Sequence, residues 1–206
     1  MLAIRRALRG AGKPFLAIPF GSCYNDTKGN GRERTHGVRF GIVKIGHGFG
    51  PVFDAGSRVL ILGSFPSVKS REVGFYYGHP QNRFWRVLGR VLNDPVPDGT
   101  ENRKAYLSRH GVALWDAVIS CEIVGSADAA IRDPEPADLS TILSVSPVQA
   151  IFCNGTLSYS LLQKNPGLPP DLPVYRLPST SPANAAWSLD RLADEWRIVE
   201  RYARLH

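Results

Sequence analysis

An aliphatic run that ends on a glycine constrains the fold of this chain more than any other feature. The four residues from Val59 to Leu62 are all aliphatic, and Gly63 follows them directly. A run without polar alternation is typical of a strand that is buried on both faces. Such strands occur in parallel sheets, because crossover helices pack onto both sides of the sheet. The run therefore predicts an α/β domain.

Strand-like and helix-like patterns alternate along the chain after this run. The predicted strands cover residues 59–62, 112–119, 150–153 and 174–177. The predicted helices cover residues 82–93, roughly 138–145, roughly 156–164 and a long C-terminal segment with apolar residues at Leu189, Leu192, Trp196, Val199 and Ala203. The segment after residue 119, through residues 133–136, is assigned to a polar loop. The alternation implies βαβ units, and hence a mainly parallel four-stranded sheet.

Small and polar residues follow three of the four predicted strands. The residues concerned are Gly63-Ser64, Asn154-Gly155 and Ser179-Thr180-Ser181. In an open α/β sheet, ligands bind outside the carboxyl ends of the strands. The sequence therefore predicts where a site lies before it predicts what the site does.

The excess of positive charge is confined to the start of the chain. The 206 residues carry a net charge of +7, and residues 1–50 hold nine Lys or Arg against two acids. Residues 51–206 hold 16 basic and 16 acidic residues, so binding to a polyanion would need a local patch. We assign residues 1–49 to a basic, glycine-rich, poorly ordered arm and residues 50–206 to the folded domain.

Three interpretations of the arm remain open: a flexible segment that adds phosphate affinity, an organelle transit peptide, or an extension without function. If the protein is bacterial, we expect a cytoplasmic, nucleoid-associated location.

Several function classes have no support in the sequence. No apolar run approaches the ~20 residues that a membrane-spanning helix needs. The three cysteines are widely spaced, which argues against a disulfide scaffold and against a zinc or iron–sulfur site. The phosphate-cradling loop, the dinucleotide fingerprint and the nucleophile elbow of serine hydrolases are all missing. The expectation is a protein without membrane span, metal or organic cofactor.

Residues 75–86, with the sequence FYYGHPQNRFWR, form the most specific segment. Phe84 and Trp85 fit the core face of a helix, but a core role does not explain Tyr77, His79-Pro80 and Asn82 together. The segment and several distant motifs resemble the uracil-DNA glycosylase superfamily. These motifs are Gly63-Ser64-Phe65-Pro66-Ser67, Tyr76-Tyr77-Gly78-His79-Pro80, Trp115-Asp116, Ser120-Cys121-Glu122, Gly125-Ser126 and Ser179–Asn184.

The resemblance covers about residues 50–200 and is closest to the hypoxanthine-DNA glycosylase and mismatch-specific uracil-DNA glycosylase branches. It implies a three-layer α/β/α sandwich and a monomeric, monofunctional enzyme. The implied reaction is the removal of uracil, hypoxanthine or both from DNA, with base flipping and without a cofactor. The alternative is a catalytically weak module that binds damaged or mismatched DNA.

The resemblance also implies the catalytic residues, with three departures from the family pattern. Phe65 stands where most members carry an Asp or Asn that positions the attacking water. Asn82 is assigned this role instead. Ser179 begins the second motif, where a His or Asn usually steadies the departing base. Ala183 stands where other members insert a Leu into the base stack, and it is too short for a large wedge. All three departures are compatible with slow catalysis.

The remaining assignments concern the base and the DNA backbone. Gly63, Ser64 and Phe65 border the base, and the aromatic face of Tyr77 stacks on it unless Tyr77 is a core residue. Asn154 offers a donor and an acceptor that match a ring N–H beside a carbonyl, unless Asn154-Gly155 only turns the chain. The predicted DNA contacts are Ser67, Ser181, Pro182, Ala183 and Asn184, to which Arg71, Arg83 and Arg86 could add phosphate contacts.

Overall fold

A computed structural model describes residues 43–123 and 131–203 of the chain. Its strands are β1 (Val43–Gly46), β2 (Val59–Gly63), β3 (Val112–Asp116), β4 (Val118–Ile123), β5 (Ile131–Pro136), β6 (Ala150–Asn154) and β7 (Val174–Leu177). Its helices are α1 (Val68–Val73), α2 (Phe84–Val91), α3 (Thr100–Arg109), α4 (Ser140–Leu143), α5 (Thr156–Leu162), α6 (Leu189–Trp196) and α7 (Ile198–Ala203).

The predicted four-stranded parallel sheet is confirmed. Its strand order is β3-β2-β6-β7, and every neighbouring pair runs parallel. All residues of β2 and β3 are buried, as a strand covered by helices on both faces requires. The non-sequential order places the central strands β2 and β6 side by side, so that Gly63 and Asn154 end at the same edge.

The strand predicted over residues 112–119 is two strands in different sheets. β3 ends at Asp116, and the backbone N–H of Ala117 donates to the carbonyl of Gly63 at 2.9 Å. β4 then leaves the parallel sheet and pairs antiparallel with β1 and β5. The prediction was wrong because an apolar run shows that a strand is buried but does not show which strand it pairs with.

The polar loop predicted at residues 133–136 is also wrong, because these residues belong to β5. β5 pairs antiparallel with β4 at the edge of the three-stranded sheet β1-β4-β5. An edge strand tolerates Pro134 and Pro136, since the missing N–H groups have no ladder partner to lose. The register of this pair shifts twice, as at a β-bulge.

The folded domain begins earlier than the sequence indicated. Residues 43–46 form β1, which the sequence analysis placed in the arm, and His47 is buried. Phe49 packs against the hydrophobic core. The boundary predicted at residue 50 therefore lies inside the fold. Residues 1–42, the rest of the predicted arm, lie outside the described residues, as do Gly125 and Ser126.

The helices agree with the predicted pattern except in two respects. The long C-terminal helix is divided into α6 and α7 at Arg197, although Leu192, Trp196, Val199 and Ala203 are buried as expected. The short α1 and the largely polar α3 were missed, since neither carries a continuous apolar stripe. Within the described ranges, no helix is both long enough and apolar enough to cross a membrane.

Candidate active site

A cleft of about 880 Å³ opens at the carboxyl ends of the parallel strands, where the site was predicted. It brings together these predicted residues: Gly63, Ser64, Phe65, Ser67, Tyr77, Asn82, Asn154, Ser179, Ser181, Ala183 and Asn184. Pro182 lies instead in a separate surface depression beside Arg86. The location of the cleft confirms the strand-end argument, while the role of each residue stays a prediction.

Asn82 and Asn154 are joined through Thr180, a fully buried residue. The Asn154 amide donates to Thr180 Oγ1 at 2.9 Å and accepts from the Thr180 backbone N–H at 2.9 Å. Thr180 Oγ1 donates in turn to Asn82 Oδ1 at 3.0 Å. A bidentate contact between Asn154 and a base would therefore have to share both polar groups with Thr180. One amide hydrogen and one oxygen lone pair remain.

Asn82 also holds the entry of α2. Its Oδ1 accepts from the backbone N–H of Phe84 at 3.0 Å, so the residue, which precedes the N-cap position Arg83, fixes the turn into the helix as well as lining the cleft. With two hydrogen bonds to Oδ1, the amide Nδ2 is the group left for a ligand or water. Asn82 therefore has a structural role at the start of α2, while its role toward the attacking water stays a prediction.

Tyr77 adopts a left-handed backbone conformation, with φ of 52°. This conformation is uncommon outside glycine and costs about 1–3 kcal/mol. The Tyr77 ring stacks on Phe84, with centroids 3.7 Å apart and planes 17° apart. Its hydroxyl is buried beside the side chains of Asp116 and Asn154, and no group in the described part of the chain meets it with full hydrogen-bond geometry. Burial, and then the Asp116 carboxylate, raise the pKa of this hydroxyl far above its ordinary value, so it remains a donor.

Asp116 and His47 form a buried pair that the sequence analysis did not place in the site. Asp116 ends β3 and lines the cleft, and its Oδ2 accepts from His47 Nε2 at 2.7 Å. The exposed fraction of each side chain is only 5%. A polar residue at the end of an apolar strand was a usable signal for Asp116. His47 was missed because residues 1–49 were assigned to the arm.

Arg83 faces inward, which contradicts its suggested contact with phosphate. Its guanidinium donates to the carbonyls of Ser181 at 2.7 Å and Asn184 at 2.9 Å, and also to that of Trp187. Its backbone N–H donates to the carbonyl of Thr180 at 3.1 Å. Arg83 therefore holds the loop after β7 against the start of α2. Arg86, one turn along the helix, is exposed and remains available to DNA.

These two arginines allow a matched comparison. We expect Arg83→Met to lower the free energy of unfolding by about 2–3 kcal/mol, because several charge-assisted bonds to loop carbonyls are lost. We expect Arg86→Met to leave stability unchanged but to reduce the slope of log Kd against log salt by about 0.9, one phosphate contact. Urea unfolding and DNA titrations at several salt concentrations measure both. A stable Arg83→Met protein with an intact loop would contradict the first expectation.

Three predicted DNA contacts also have local structural roles. Ser67 Oγ caps α1 by accepting from the backbone N–H of Ser70 at 3.2 Å. Ser181 Oγ accepts from the backbone N–H of Ala183 at 3.3 Å, and Asn184 Nδ2 donates to the carbonyl of Ser179 at 2.8 Å. These bonds fix the shape of the loops that border the cleft. In the part of the chain that the structure describes, no cluster of His, Cys, Asp or Glu is arranged to bind a metal.

Comparison with known families identifies the superfamily to which the sequence belongs. The sequence matches the family model of the uracil DNA glycosylase superfamily over residues 51–204. The chain belongs to the uracil DNA glycosylase superfamily. The match confirms both the resemblance and the predicted enzyme class, a DNA N-glycosylase.

Similar proteins and a similar solved structure also bear the names of DNA glycosylases. A Methanosarcina acetivorans protein named Hypoxanthine DNA glycosylase is 34% identical over 162 residues, 77% of this chain and 99% of that protein. A Methanosarcina barkeri protein of the same name is 35% identical over 113 residues, 54% of this chain and 72% of that protein. A solution NMR structure from M. acetivorans, described as a candidate uracil DNA glycosylase, has a TM-score of 0.65 and 33% identity. The match covers 78% of this chain and 99% of that one, and it confirms the predicted fold.

Proposed function

We propose that this chain removes a deaminated base, hypoxanthine or uracil, from DNA by hydrolysis and leaves an abasic site. The observation that carries the proposal is the cleft at the strand ends, where Tyr77, Asn82, Asp116 and Ser179 meet. The names of the two Methanosarcina relatives favour hypoxanthine as a substrate.

The base reaches this cleft only if its nucleotide leaves the duplex, which costs a few kcal/mol. Phe84 covers one face of the Tyr77 ring, so the opposite face is the one that can stack on the base. Stacking contributes roughly 1–3 kcal/mol per base in proteins that bind single strands. The ring, held by Phe84 and by its left-handed backbone, supports a stacking role.

Selection of the base rests on an acceptor in the cleft. Hypoxanthine and uracil present a ring N–H beside a carbonyl, whereas adenine and cytosine present a ring nitrogen lone pair. Asp116 accepts but does not donate when ionised, so its carboxylate matches the ring N–H and repels the lone pair. Asp116 suits this task better than Asn154, whose amide is bonded to Thr180. Guanine and thymine share the ring N–H, so this acceptor by itself discriminates only against adenine and cytosine.

Hydrolysis requires a water at the sugar carbon and donors for the departing base. Asn82 is the polar residue at the cleft that can orient this water, since Phe65 has no polar group. Its amide positions the water but does not deprotonate it at neutral pH. The hydroxyl of Ser179 and the backbone N–H groups of Ser64 and Phe65 can stabilise the base anion.

A single-turnover panel of oligonucleotides tests this proposal. The strands carry hypoxanthine, uracil, xanthine, adenine or a thymine mismatch at one position, in single-stranded and duplex form. We expect release of hypoxanthine, uracil or both, followed by alkali-sensitive cleavage at the abasic site, and no release of adenine. Specific binding to the modified DNA without any release would instead support the binding-module alternative.

A further inference from the structure

Asp116 lines the cleft beside Gly63, its register partner in the neighbouring strand. A β-carbon built on Gly63 would stand 2.0 Å from Asp116 Oδ1 and 3.5 Å from the Tyr77 hydroxyl. One carboxylate oxygen therefore lies directly over the Gly63 α-carbon, at the point where β2 ends and the cleft begins. Only glycine leaves room for it there. The other oxygen, Oδ2, points away to His47.

His47 reaches Asp116 from outside the parallel sheet. It follows β1, and its backbone N–H donates to the carbonyl of Ile119 at 2.8 Å, which ties it to β4. The His47 ring is enclosed by Phe49 and Trp115, each with its ring centroid at 4.5 Å, and by Phe65 and Tyr76 at about 6 Å. Packing on all these sides holds the imidazole in one position. Its Nδ1 is buried with no partner among the described residues. Among these residues, Asp116 is therefore the hydrogen-bond partner of the His47 ring.

We infer that His47 is a positioning residue for base recognition, and that residues 43–49 thereby complete the active site. By donating Nε2–H to Oδ2, His47 holds the Asp116 carboxylate with Oδ1 over Gly63, facing the base. The inference rests on the proposed function, because it concerns how Asp116 selects a base.

Physical chemistry explains why Asp116 needs this partner. A buried carboxylate is costly unless hydrogen bonds satisfy it, and removal of one partner leaves the other uncompensated. Tyr76 and Tyr77 lie beside Asp116 and carry hydroxyl donors. The Tyr76 hydroxyl is already used, because it donates to the carbonyl of Gly50 at 3.0 Å. Without His47, the carboxylate would rotate toward another donor or solvent. Oδ1 would then no longer face the base.

The test compares two substitutions of His47. His47→Leu removes the donor and keeps an apolar side chain among the aromatic rings, whereas His47→Gln keeps an N–H that can reach Oδ2. We expect His47→Leu to lower the single-turnover release of hypoxanthine from DNA about tenfold or more, the range of one charge-assisted hydrogen bond. We expect His47→Gln to recover most of this loss. Both variants should bind abasic product DNA as the wild type does, because that DNA carries no base.

A double-mutant cycle separates positioning from a general structural role. In an Asp116→Ala background, His47→Leu should cause no further loss, since the group on which His47 acts is gone. His110→Leu is the matched control, because His110 also pairs with an aspartate, Asp94, at 2.8 Å and does not line the cleft. Its rate of base release should equal that of the wild type.

Three results would overturn the inference: full release by His47→Leu, equal loss in His47→Leu and His47→Gln, or additive losses in the Asp116→Ala background. If either variant has a much lower melting temperature, the release rates of His47→Leu and His47→Gln are compared at a temperature where both proteins are folded. That comparison then tests the inference. Failure of the proposed function gives a different result, because the wild-type protein then releases no base from any oligonucleotide.

Discussion

Asn82→Ala is expected to reduce the single-turnover rate of base release about 100-fold or more, the scale of a lost water-orienting group. The structure adds a second effect to this substitution. Because Asn82 Oδ1 accepts from Phe84 N–H and from Thr180 Oγ1, alanine should also lower the free energy of unfolding by about 0.5–2 kcal/mol, the scale of lost hydrogen bonds. Rapid-quench assays at saturating DNA and thermal melting of the same preparation measure both quantities.

Asn82→Ser separates the two effects. Serine forms the same kind of turn contact to a backbone N–H two residues ahead, but its short side chain lacks the amide Nδ2. We expect this variant to melt close to the wild type and still to release base slowly. A normal rate constant in Asn82→Ala, at a temperature where the variant is folded, would show that Asn82 only stabilises the start of α2. The water would then be held by another group.

Deletion of residues 1–42 and deletion of residues 1–49 are expected to have very different consequences. Residues 1–42 hold eight Lys or Arg and two acids, a balance of +6, so their removal should weaken DNA binding at low salt and flatten its salt dependence. The rate at saturating DNA should persist. Removal of residues 1–49 also deletes β1 and His47, and base release should fall at least tenfold.

The rates of the two deletion variants are compared only if circular dichroism and thermal melting show that both proteins are folded. A second control is the 1–49 deletion in the Asp116→Ala background, where the loss should be no greater than for Asp116→Ala alone. Equal rates for the two deletions would mean that β1 and His47 contribute nothing to the site. Loss of rate at saturating DNA in the 1–42 deletion would mean that the arm belongs to the site.

The sequence alone determined the architecture of the parallel sheet and the edge at which the cleft opens. The uninterrupted aliphatic run before Gly63 is typical of a strand buried on both faces, and the alternation with helices implied parallel pairing. These are local signals, carried by residues close together in the chain. The motifs around Tyr77 and Asn82 were likewise contiguous, and the family comparison confirmed the resemblance that they carry.

Only the tertiary structure decided which polar groups act together. The Asn154–Thr180–Asn82 connection joins residues from three separate segments, and Arg83 binds carbonyls about a hundred positions further along the chain. Periodicity does not encode such contacts, since each depends on how strands are ordered in the sheet.

The pair of His47 and Asp116 is the clearest example of a contact that the sequence pattern does not encode. The two residues are 69 positions apart, and His47 lies in a segment whose glycines and positive charges resemble those of an unstructured arm. It becomes part of the site because β1 pairs with β4, the strand that follows Asp116. A prediction from local composition uses only neighbouring residues. The burial of a polar side chain depends instead on the hydrogen-bond partner that the tertiary fold places next to it.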